Sequence, residues 1–126
     1  MINAEELYAN IFSDSRITSI VPEDNIFPGY PTEVEVYPCI AYIDENQSDD
    51  EYNDNSPGAS SCSLQVHIYS KKLDGYISTS DIAVVIAEVM NEKLWNCSQN
   101  RGGLPDPQSD VDHRIMGFNK SIFTKN

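Results

Sequence analysis

Between Cys39 and Leu94 the hydrophobic pattern changes twice, and few small folds accommodate that order. Cys39–Asp44 (CIAYID) is apolar at nearly every position, as in a strand covered on both faces. Cys62, Leu64, Val66 and Ile68 then alternate with Ser63, Gln65, His67 and Tyr69. That period of two predicts a strand with one core face and one more polar face. From Ile82 the period becomes helical, through Val85, Ile86, Val89, Met90 and Leu94. Ser78 with Asp81 three residues on marks the start of this helix, and Ile77 and Ile82 occupy hydrophobic-staple positions. Each of those apolar side chains gives roughly 1.5–3 kcal/mol on burial. Fixing the backbone costs about 1–2 kcal/mol per residue, so the helix needs a sheet to lie on. Its opposite side carries Ala83, Val84 and Ala87, which makes a second contact surface there an expectation.

The two strands are predicted to pair across a long hairpin loop, Glu45 to Ser61 (ENQSDDEYNDNSPGASS). It holds Asp49, Asp50, Glu51 and Asp54 and no basic residue, and it is too long for a simple turn. Loops of this kind on compact domains serve contacts. Calcium binding is not favoured, because an EF-hand-type loop needs alternating oxygen ligands closed by a bidentate Glu, and this spacing lacks one.

Upstream, Asn3 caps a first helix with Glu6 in capping-box position, and Leu7, Tyr8, Ile11 and Phe12 share a face. Ile17, Ile20 and Val21 suggest a short second helical turn, which Pro22 stops. Ile26–Phe27 reads as a short extended piece within a Pro-rich connector running to Pro38. Downstream, residues 96–110 read as loop, with Gly102, Gly103, Pro105 and Pro107. Val111 to Phe118, extending towards Phe123, reads as a closing strand.

At 126 residues the chain is expected to form one domain, 1–126, with a single core. A hydrophobic share of 40% argues against wholesale disorder. The net charge of −12, from 20 acidic and 8 basic residues, argues against direct nucleic-acid binding, which needs clustered Lys and Arg at phosphates. Cys39, Cys62 and Cys97 cannot all pair within one chain and lack metal-ligand spacing. No signal-peptide pattern or membrane-length apolar run is visible, so a cytosolic protein with reduced thiols is expected. His67 and Cys62 fall on opposite faces of their strand, which favours a buried Cys62 and a surface His67 over a nucleophilic pair. His113 is likewise read as structural. No GxGxxG, Walker or GxSxG pattern is present, so the residues supply no case for an enzyme or a cofactor. Trp95, at the end of the predicted helix, is open between an interface anchor and a core-edge aromatic.

The order of YPCIAYI (Tyr37–Ile43), the polar loop, SLQVHIYS (Ser63–Ser70), DIAVVIAEVMNEKLW (Asp81–Trp95) and HRIMGF (His113–Phe118) resembles tail terminator and tail-completion, or head–tail joining, proteins of long-tailed bacteriophages. The likeness runs from the Glu6–Phe12 helix to the closing strand and lies in order and spacing, not in a catalytic fingerprint. It implies an α+β fold, with helices packed on one face of a small, mostly antiparallel four-stranded sheet carrying a long β-hairpin loop. It implies a structural role: a hexameric ring of this chain on the tail tube, meeting tail tube protein and head connector protein. The implied locations are the host cytoplasm during assembly and then the virion. Carried over residue by residue, the loop-tip candidates are Asp49, Asp50, Glu51, Tyr52 and Asp54. Val84, Ala87 and Trp95 are possible interface positions read from the helix pattern itself.

The rival from another class is a small acidic inhibitor, or DNA mimic, of a nucleic-acid-handling enzyme. Such a protein spreads carboxylates along one face at phosphate-like spacing, whereas here they concentrate in one loop and the N-terminal helix.

Overall fold

The computed structural model describes residues 11–29, 36–44, 59–103 and 110–123. The predicted start of the first helix, Asn3 to Asn10, and the loop residues Asp49, Asp50, Glu51, Tyr52 and Asp54 lie outside them. In chain order the elements are helix α1 (Ser15–Thr18), a 3-10 turn (Glu23–Asn25), β1 (Ile26–Pro28), β2 (Cys39–Asp44), β3 (Ala59–Lys71), α2 (Thr79–Glu92), β4 (Asn96–Arg101) and β5 (Val111–Phe123). The fold is α+β. One five-stranded sheet runs β1-β2-β3-β5-β4, with β1 parallel to β2 and every other neighbour antiparallel.

Two expectations need correction. The sheet has five strands where four were expected, because Asn96–Arg101, read as loop, forms β4 on β5. Its sequence, NCSQNR, carries no apolar alternation because it is a mostly exposed edge, and edge strands need no buried face. It also bulges between Cys97 and Gln99, where Ser98 Oγ lies 3.0 Å from where a Cβ on Gly117 would stand. The second correction concerns the long hairpin. β2 and β3 are antiparallel, but over the short span of β2 from Cys39↔Tyr69 to Asp44↔Leu64. The longest ladder joins β3 to β5, from Ala59↔Phe123 to Lys71↔Val111.

One face of the sheet presents Ile40, Tyr42, Leu64, Val66, Ile68, Met116 and Phe118 to Ile82, Ala83, Ile86, Val89 and Met90 of α2. Ile11, Phe12, Ile17, Val21 and Ile26 complete this core, with the Phe12 and Tyr42 rings stacked 4.8 Å apart. Ala83, expected on the far side of the helix, is buried, and Ala87 packs partly against the core. The inward stripe is therefore wider than the i, i+3, i+4 set, as suits a helix lying across a twisted sheet. Val84 remains 57% exposed. No helix among the described residues is long and apolar enough to cross a membrane.

Strand β5 grips α2 at both ends. The Ser78 hydroxyl accepts from the Asp81 amide at 3.2 Å, as the sequence predicts for the cap. From β5, Asp112 accepts from the Thr79 amide and hydroxyl, both at 2.9 Å, and Arg114 donates to the same hydroxyl at 3.3 Å. At the other end Lys120 donates to the Lys93 carbonyl at 2.9 Å. A carboxylate at the helix N-terminus and an ammonium at its C-terminus both complement the macrodipole.

The C-terminal turn of α2 is a Schellman motif. Trp95 N–H donates to Met90 O at 2.9 Å and Leu94 N–H to Asn91 O at 3.0 Å, with Leu94 at φ +67°. The motif turns Trp95 back onto Met90 within the core.

Candidate functional site

The end of the sheet where α2 terminates combines three features. First, β3 and β5 run past their neighbours. β2 stops at Asp44↔Leu64 and β4 begins at Asn96↔Asn119, so the pairs Ala59↔Phe123, Ser60↔Ile122, Ser61↔Ser121 and Cys62↔Lys120 lie beyond both. Among the described residues this ribbon has no strand on either edge. At about 3.4 Å per residue it extends roughly 14 Å. A two-stranded ribbon is marginal by itself in water, and bare edges offer backbone donors and acceptors to another chain. Second, Asp44 and Ala59, the residues that flank the acidic segment 45–58, lie at this same end. Third, Leu94 is 76% exposed here, beside the Lys93 carbonyl held by Lys120.

Of the expected interface positions on the helix, Val84 is exposed and Ala87 is half-buried. Trp95 is 6% exposed, within the chain's own core, with Lys120 Nζ 6.0 Å from its ring centroid. The signal for that burial is weak in the sequence, because the residue that usually announces this helix ending is glycine, and here Leu94 stands in its place.

The opposite face of the sheet holds a second cluster, which sequence reasoning did not assemble. His67 and His113 are diagonal neighbours across β3 and β5, since Tyr69 is directly opposite His113. His67 Nδ1 and His113 Nε2 are 3.1 Å apart, and His67 Nε2 is 2.8 Å from Gln65 Oε1. The Tyr69 ring stacks on His113 at 4.3 Å. The expected surface position of His67 is corrected: it is 6% exposed. Alternation placed it on the non-helical face correctly, but that face is also shielded at the sheet centre, where Cys39 and Ala41 are fully buried. Burial, with His113 beside it, pushes the His67 pKa down. Burial also pushes the Cys39 thiol up to about 12, so it stays protonated at neutral pH and is a poor nucleophile. The side chain of Cys62 lies outside the described residues. No group of three or more metal-ligating side chains occurs among the described residues.

On the surface near α1, Arg16 donates to Asp14 and to Glu92 at 2.6–3.1 Å, tying α1 to the last turn of α2. These bonds hold the Asp14 carboxyl at about 2 and depress Glu92 as well.

No protein-family model matches this chain, and no curated protein matches it.

Proposed function

We propose that the chain is a structural subunit of a phage tail, of the tail-completion class, which assembles with copies of itself into a ring on the tail tube and takes part in joining it to the head connector. The observation that carries this reading is the β3/β5 ribbon, which among the described residues has no strand on either edge, beside the root of the acidic segment. Such a ribbon gains most when a neighbouring chain supplies what its edges lack. The α+β architecture with helix and sheet in the expected order supports the same reading. So does the exposure of Leu94 and Val84, at the ribbon end and on the outer side of α2. In this role the acidic segment meets tube or connector, or lines a passage through which DNA slides without adhering.

Electron microscopy of particles assembled without this chain tests the proposal. Overlong tails are the outcome for a terminator, and normal tails left unattached for a joining protein. Intact, infectious particles overturn the reading. Recovery of a host DNA-handling enzyme, with no tube or connector protein, in a pull-down with the full chain does so as well, in favour of an acidic mimic.

A further inference from the structure

Backbone groups along a strand face its two neighbours in turn, so one hydrogen bond sets the direction of every residue across a sheet. Gly29 N–H donates to the Tyr42 carbonyl at 2.8 Å, so Gly29 and Phe27 face β2, and Ile26 and Pro28 face outward. Through the registers, the odd-numbered residues of β3 face β2, its even-numbered residues face β5, and the odd-numbered residues of β5 face β4. Lys72 N–H, which donates to the Asp110 carbonyl at 2.8 Å, obeys the same alternation.

Both side edges of the sheet are shut to an added strand. On β1, Pro28 has no N–H, and the Ile26 N–H is bonded to the Glu23 carbonyl of the 3-10 turn. On β4 the outward positions are Cys97 and Asn100, and the bulge between Cys97 and Gln99 sets them three residues apart. A regular strand presents its groups every second residue and cannot match both. Prolines and bulges are the devices that blunt exposed edges. The ribbon differs. Ala59 and Ser61 on β3, and Ser121 and Phe123 on β5, face outward at the regular two-residue step, with no strand opposite them among the described residues. The two strands are antiparallel, so β3 of one copy set beside β5 of another makes a further antiparallel pair.

We propose that a second copy of this chain joins the sheet only at the ribbon, the outward edge of β3 (Ala59, Ser61) in one copy pairing with the outward edge of β5 (Ser121, Phe123) in the next. The contact is head to tail. Each copy uses one edge and leaves the other open, so the contact repeats until the row closes on itself. The edges of β1 and β4 take no part, which keeps copies from joining side by side into an open sheet. This inference rests on the reading that copies of the chain assemble, and it names the surface through which they do so.

The test is self-association of the full chain by sedimentation velocity across a salt series, in the wild type, Ser61→Pro, Ser121→Pro and Asn100→Pro. At these outward positions proline removes a donor from an edge but no hydrogen bond between strands of the same copy. Protection of the inward amides of Val66 and Ile68 in hydrogen exchange shows that a variant is folded. Ser61→Pro and Ser121→Pro are each expected to weaken association by about tenfold or more, and Asn100→Pro to leave it unchanged. Mixed together, the two ribbon variants form a dimer that grows no further, because each supplies the edge the other lacks. In the wild type the Ser61 and Ser121 amides become protected on association and those of Cys97 and Asn100 do not; this comparison decides alone where a variant fails to fold. Association that ignores both ribbon variants, that is lost in folded Asn100→Pro, or that protects the Cys97 and Asn100 amides overturns the proposal and leaves assembly standing. A wild type that stays monomeric at every salt concentration overturns assembly itself, and this contact with it.

Discussion

At Leu94 two unfavourable features coincide: a left-handed backbone at φ +67° on a residue with a Cβ, and an isobutyl group 76% exposed. The left-handed conformation costs a non-glycine residue about 1–2 kcal/mol, and folding alone gives no reason for leucine there. Leu94→Gly is expected to stabilise the free chain by up to about 1 kcal/mol in urea denaturation, since glycine adopts the cap without strain. If Leu94 is a ring contact, the same substitution weakens association, and sedimentation of both variants separates the two effects. A second residue-scale prediction concerns Arg16. Asp14 and Glu92 have folded pKa values depressed by the guanidinium, so the stability they add is present above about pH 4 and fades as pH falls towards 2. Arg16→Met is therefore expected to lower stability at neutral pH and to flatten the acid limb of a stability–pH profile by the same amount, which is small because the pair is solvent-screened.

Helix α2 is the element on which the sequence was most explicit. Its start at Ser78, its staple and its inward stripe follow from local chemistry, with each signal within a few residues of its effect. The same holds for β2, whose bounds match CIAYID, and for β3, which as a strand extends beyond both ends of the predicted run. What stayed hidden depends on distant partners. β4 is polar, and only its pairing with β5 makes it a strand. The histidine pair requires the β3–β5 register, which no local pattern specifies. The clasp on the helix start is of the same kind: Asp112 reads as a polar strand residue until Thr79 is brought against it. Asp112→Ala leaves the Thr79 amide and hydroxyl short of that acceptor and removes a charge from the positive end of the helix. A loss of about 1–3 kcal/mol in urea denaturation is expected, with α2 fraying first in hydrogen exchange. An unchanged midpoint makes the clasp incidental.

For the whole molecule, charge opposes self-assembly. Each chain carries −12, so any ring accumulates repulsion that apolar and backbone contacts must exceed. Salt screens exposed charges over roughly 8 Å at physiological strength, so association of the pure chain is expected to strengthen as NaCl is raised. Sedimentation velocity across a salt series checks this, and tighter association at low salt counts against a ring held by apolar and backbone contacts.

The position of β5 also has a consequence for biosynthesis. Later in the chain than the other described strands, it sits between β3 and β4 and supplies both with a pairing partner. Until it emerges, β3 and β4 lack the partner they share among the described strands, and α2 lacks its Asp112 and Lys120 anchors. Sheet closure is thus deferred until synthesis has passed Val111, and a nascent chain stalled before that point exposes the apolar surface that chaperones bind.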